Sequence, residues 1–108
     1  MAFAKATDLF YFQPIGGQSG RGQGTKRGAP ALWSFKTQIT QANVDAAGFF
    51  NDLADILSAG DLIYVVTVTN RGAANEAVVD AGWFLVNSVA SGVVDVANQT
   101  AVTTTDGD

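Results

Sequence analysis

The sequence predicts a mainly β, α+β protein: a small antiparallel sandwich or barrel-like domain with one amphipathic helix and an extended N-terminal arm. Three observations carry that reading. After residue 30, short segments rich in β-branched and aromatic residues alternate with Gly, Asn and Ser turns, which is how strands and their connections read. One stretch near 43–58 instead spaces its apolar residues with a helical period. Ahead of both lies "GGQSGRGQGTKRG", Gly16 to Gly28, with six glycines, three cations and no apolar side chain. Such a segment has nothing to bury against its ordering entropy. The expected division is a Gly-rich arm over 1–30 and a compact β-rich body over 31–108.

The elements follow in order. "LWSFKTQIT", from Leu32, is a candidate first strand of the body. In "ANVDAAGFFNDLADILSAGD" the residues Ala46, Phe49, Phe50, Leu53, Ile56 and Leu57 form one stripe at 3.6-residue spacing. Thr40 or Asn43 suits the helix N-cap, Asp45 the positive end of the dipole, and Gly60 a left-handed stop. Gly48 costs about 1 kcal/mol inside a helix, so close packing against a strand is its expected purpose. "LIYVVTVT", Leu62 to Thr69, is apolar at nearly every position and reads as a strand covered on much of both faces. "NRGAAN" is a loop. "EAVVDAGWFLVNSVA" is a long or bent strand with Gly82 a candidate bulge. Ser91-Gly92 marks a tight hairpin turn into "VVDVA". "TAVTTT" is a polar edge strand. One helix against an antiparallel sheet is the result.

Composition excludes much chemistry. The 108 residues fit a single domain, and 47% apolar content is enough for a core. There is no cysteine and no histidine, which removes disulfides, thiolate nucleophiles, the usual neutral-pH base and the commonest metal ligand. Ser34, Ser58 and Ser88 therefore lack an activating imidazole. Asp52 and Asp55, with Asp45 nearby, could form an acid–base pair or a divalent-cation site, but a solvated helix face explains them without further assumption. No catalytic, cofactor or metal site is expected, and the protein is expected not to be an enzyme. Trp33, Trp83 and Phe84 read as core or subunit interface more readily than as a ligand pocket. "MAFAKATDLFYFQP" lacks the apolar stretch of a signal peptide, and no run approaches the length of a membrane span; a soluble protein is expected.

The net charge of −4 is uneven. Lys5, Arg21, Lys26 and Arg27 face only Asp8 within residues 1–30, whereas Lys36 and Arg71 face nine carboxylates beyond them. A basic front on an acidic body suits an acidic partner surface. The glycine run itself is not a P-loop, because Thr25 separates Gly24 from Lys26 and Arg27 follows. Nor does it carry dinucleotide-fingerprint spacing. As a nucleic-acid segment it offers three cations, enough for weak, salt-sensitive binding. An arm ordered by a protein partner is the preferred reading, with Phe3, Phe10, Tyr11, Phe12, Arg21, Lys26 and Arg27 as its contact residues.

"AAGFFN" (Ala46 to Asn51), "LSAGDL" (Leu57 to Leu62) and "VVDVA" (Val93 to Ala97) together resemble small virion proteins of tailed bacteriophages and gene transfer agents, of the head decoration, head-spike or head-fibre-base type. The similarity spans about Leu32 to Thr104 and leaves residues 1–30 without a counterpart. It implies a structural protein on the capsid surface, assembled in the host cytoplasm. Its partners would be the major capsid protein or other virion proteins, and it would form a homo-oligomer, a trimer or a pentamer. Many copies on a lattice multiply a weak contact through avidity. Two other classes remain beside it: a nucleic-acid-binding module using the arm's cations, and a small hydrolase using Asp52 and Asp55.

Overall fold

The most β-branched run of the chain, Leu62–Thr69, forms strand β3 inside a six-stranded sheet in the computed structural model, which describes residues 2–15 and 29–103. The other strands are β1 (Phe12–Pro14), β2 (Leu32–Thr37), β4 (Ala77–Ala90), β5 (Val93–Val96) and β6 (Thr100–Val102). Their order is β1-β2-β3-β4-β5, and β6 also pairs with β4. The mainly β, α+β class is as expected. The sheet, however, is mixed: β2 and β3 run parallel, while every other pair is antiparallel. A parallel pair needs a crossover of a dozen or more residues, and residues 38–61 supply one.

That crossover is where a regular helix was expected. Only Gln41–Val44 is α-helical (α2), starting at Thr40 as N-cap, and Asn51–Leu53 adds a 3-10 turn. Gly48 explains the difference. Its φ of +81° places it in the left-handed region, which breaks the helix after one turn. The bonds Phe49 N–H to Ala46 C=O and Asn51 N–H to Gly48 C=O, at 3.1 Å each, continue the chain as tight turns. The apolar stripe still finds the core: Val44, Phe49, Phe50, Leu53 and Leu57 are buried, and Gly60 is left-handed as expected.

The extended arm is the larger correction. Residues 2–15 fold onto the body as α1 (Lys5–Asp8), a 3-10 turn (Leu9–Tyr11) and β1. Phe3 is 2% exposed and Phe12 4%, so both belong to the core and are not free to engage a partner. Phe3 lies within 5.1–6.2 Å, centroid to centroid, of Phe12, Phe35 and Phe50, and its N–H donates to Phe49 C=O at 2.9 Å. Phe12 stacks on Trp33 at 5.2 Å. The physical cause is a shortage of cover. The broken crossover alone cannot bury the aromatic inner face of β2, and the leading segment completes the layer. Ile15 N–H donates to Leu32 C=O at 3.0 Å, so the glycine run connects two paired strands and is not a tail. Residues 16–28, with Arg21, Lys26 and Arg27, lie outside the described residues.

Local details follow the sequence unevenly. Ser91 (φ 52°) and Gly92 (φ 79°) make the expected tight turn between β4 and β5. Gly82 is not a bulge; it pairs in register with Val65, and the register shifts fall at Thr67/Val68 and Val86/Ser88. A Cβ at Gly82 would collide with the Gln99 side chain and with Gln41 Oε1, at 2.8 Å. Gln41, Thr67 and Gln99 form a hydrogen-bonded group there, bridged by Gln41 Nε2 to Thr67 Oγ1 and Gln99 Nε2 to Gln41 Oε1, both 2.9 Å.

Candidate functional site

Strand alternation splits the sheet into two faces. Trp33, Phe35, Ile63, Val65, Phe84 and Val86 point into the core and are buried. Their neighbours point outward, and register aligns them in rows. Leu32, Leu62 and Leu85 form one row. Gln13, Ser34, Tyr64, Trp83 and Thr100 form the next, across five strands. Tyr64 and Trp83 meet at 5.3 Å between ring centroids. In this outer face Leu32 and Leu85 are each 44% exposed, and Leu62, Tyr64, Val66 and Trp83 are half-buried. The expectation that β3 is covered on much of both faces holds in part: among the described residues one face is covered, and on the other Val68 and Ala81 are buried while Leu32 and Leu85 stand open.

A groove of ≈ 290 Å³ crosses this face beside the 3-10 turn Leu9–Tyr11, lined by Phe10, Tyr11, Gln13, Ser34, Phe35, Lys36, Tyr64 and Val66. Phe10 forms its rim and is 79% exposed. Its ring meets Tyr11 edge-on at 5.0 Å. Phe10 is thus the one member of the expected aromatic contact set that projects into solvent, while Tyr11 is half-buried.

A second set of contacts fixes that rim. Arg71 Nη1 pairs with Asp8 at 3.1 Å and donates to Lys36 C=O at 2.9 Å, and its guanidinium lies 4.0 Å from the Tyr11 ring centroid. Gly72 (φ 84°) must lack a side chain, because a Cβ there would sit 2.9 Å from the Tyr11 hydroxyl. Lys36 Nζ pairs with Glu76 at 2.8 Å, and Gly72 N–H donates to the other Glu76 oxygen at 2.9 Å. The Gly72 N–H and then Lys36 hold the Glu76 carboxyl below its usual range. The loop expected at "NRGAAN" is therefore a clamp on residues 8–11. Sequence reasoning missed it because Asp8 and Arg71 are far apart in the chain.

The carboxylates singled out for chemistry do not converge. Asp52 and Asp55 are exposed, and Asp55 pairs with Lys5 at 3.3 Å in a solvated contact. Among the described residues, no group of three or more His, Cys, Asp or Glu side chains could hold a metal ion. The carboxylate with the richest environment is one that sequence reasoning passed over. Asp61 is fully buried. It accepts hydrogen bonds from Ala31 N–H, Trp33 Nε1–H and Ser58 N–H, each at 3.0 Å. Those donors tie β2, the end of the crossover and β3 together, which is structural work. The signal available was the indole N–H of a core Trp33, which needs an acceptor.

Residues 46–51, 57–62 and 93–97 are brought together through backbone and side-chain hydrogen bonds. Asn51 Oδ1 accepts Val94 N–H at 2.9 Å, Gly60 N–H donates to Val86 C=O at 2.8 Å, and Val86 N–H donates to Asp61 C=O at 2.8 Å. Phe49, Phe50, Leu57, Val94 and Val96 are buried around them. No protein-family model, curated protein or solved structure matches the chain. Among the described residues no helix is long and apolar enough to cross a membrane.

Proposed function

We propose that this chain is a structural protein of a tailed-phage-type virion head, a decoration, cement or spike/fibre-base subunit that works by shape and contact. The observation that carries the proposal is the outer face of the sheet: rows of Leu, Tyr, Trp and Val left open on a rigid body. An open apolar patch of this kind on a small domain marks an interaction surface. Attachment through a free aromatic arm is given up, because Phe3 and Phe12 are core residues. Contact with the capsid lattice falls instead to the surface around Phe10 and to the cations Arg21, Lys26 and Arg27, which lie between β1 and β2 in the sequence and suit an acidic partner.

The test is co-sedimentation of the full chain with heads assembled from the genome that encodes it. Saturable binding, with a copy number in step with the lattice, is expected. A chain that stays in the supernatant at every ratio contradicts the proposal. Salt-sensitive binding to DNA or RNA with none to heads supports the nucleic-acid module in its place.

A further inference from the structure

We infer that the outer face of the sheet is a self-association surface: two copies of this chain pack outer face to outer face, each inserting Phe10 into the groove of the other. The inference shares this face with the virion reading but does not depend on it: it concerns what covers the face when the chain is alone in solution.

Four observations lead to it. First, β3 has the composition of a strand apolar on both sides, and sheets with both faces apolar have both faces covered. Leu62, Tyr64 and Val66 occupy positions where a solvent-facing strand would carry polar side chains. Second, the face is self-complementary. A knob, Phe10 at 79% exposure, stands beside a groove of ≈ 290 Å³ whose walls include Tyr64 and Val66. Two-fold pairing makes each knob meet the other copy's groove, which is the rule for an isologous interface.

Third, charge permits it. The chain carries −4 overall, but the groove's one cation, Lys36, is already paired with Glu76, and the rows Leu32–Leu62–Leu85 and Gln13–Ser34–Tyr64–Trp83–Thr100 contain no carboxylate. A like copy thus meets no like-charge opposition across the contact, whereas the same face offers nothing to a polyanion. Fourth, the face has apolar area to bury. Phe10 is 79% exposed, Leu32 and Leu85 44% each and Ile15 41%, and the half-buried Leu62, Tyr64, Val66 and Trp83 lie between them, against the roughly 800 Å² per partner that a standard interface buries. Face-to-face sheet packing is the ordinary way to bury such a surface. The pairing is two-fold, in place of the trimer or pentamer expected from the sequence.

Sedimentation equilibrium of the full chain, from about 1 to 100 μM, tests the pairing with Phe10→Glu, Leu85→Glu and, as a control, Ala42→Glu. Ala42 is exposed on α2, in the crossover that covers the opposite face of the sheet. The wild type is expected to pass from monomer to dimer across that range. Phe10→Glu and Leu85→Glu are each expected to raise the dissociation constant at least about tenfold, as loss of a central anchor does, with circular dichroism unchanged at the lowest concentration. Ala42→Glu is expected to dimerise like the wild type. Two face variants guard against one failing to fold. A wild type that stays monomeric throughout overturns the inference. So does a dimer broken by Ala42→Glu and indifferent to both face variants. A face that is protected only on virion heads assigns it to a shell protein and equally overturns the pairing.

Discussion

Asp61 shows how much a single buried carboxylate can organise. Its two oxygens accept three donors from three parts of the chain, and charge-assisted bonds of this kind are stronger than neutral ones. Asp61→Asn keeps the shape but turns an acceptor into a donor facing a donor. A loss of roughly 2–3 kcal/mol is expected, read as a lower midpoint in urea with an unchanged slope. Gly82→Ala makes a different demand. The new methyl would displace Gln99 and break its bonds to Gln41 Oε1 and Ala81 C=O, with an expected cost of about 1–3 kcal/mol by the same measurement. Neither role was legible in the sequence. Asp61 stands there only as one letter of LSAGDL and Gly82 as a candidate bulge, because burial and close approach are set by partners remote in the chain. The residues whose roles depend only on neighbours were legible: Ser91-Gly92 as a hairpin turn and Gly60 as a left-handed stop.

At the level of elements, the leading segment is part of the fold. Removing residues 2–15 strips Phe3 and Phe12 from Phe35, Phe50 and Trp33. Truncating one buried Phe costs about 3–5 kcal/mol, against a total stability of roughly 5–15 kcal/mol for a domain. The truncated chain is therefore expected to lose its cooperative thermal transition, and one that melts like the full chain contradicts this account. The clamp made by the 70–76 loop carries a pH signature. The Glu76 carboxyl is held below its ordinary range by Gly72 N–H and Lys36, so the stability it adds is present above the unfolded value and lost as pH falls through the folded one. The stability gap between the wild type and Glu76→Gln is expected to close in acid and stay constant at neutral pH. The strands were readable because β-branched runs and turn residues are local signals. The crossover was readable in its burial but not its backbone, since the apolar spacing of Phe49, Phe50, Leu53 and Leu57 fits a chain of tight turns as well as a helix once Gly48 turns left-handed. The parallel pairing of β2 with β3 and the docking of residues 2–15 were not readable. Both are decided by which surface remains uncovered after the other elements have packed.

The whole molecule is a sheet with unequal uses for its faces. One face is closed by the crossover and the leading segment around an aromatic core; the other presents Leu, Tyr and Trp to whatever comes next. The expected contact residues divide along the same line, with Phe3 and Phe12 building the core and Phe10 rimming the groove. The two tryptophans report on the two faces separately: Trp33 is buried and bonded to Asp61, whereas Trp83 lies in the outer row beside Tyr64. Acrylamide quenching of the wild-type emission as a function of protein concentration is accordingly the most direct measurement. In dilute solution, one component is expected to quench readily and the other to resist. The accessible component is expected to become shielded over the concentrations at which the mass doubles. Trp83 emission that remains equally quenchable at every concentration, or that is already shielded when the chain is a monomer, would contradict an outer face built for a second copy.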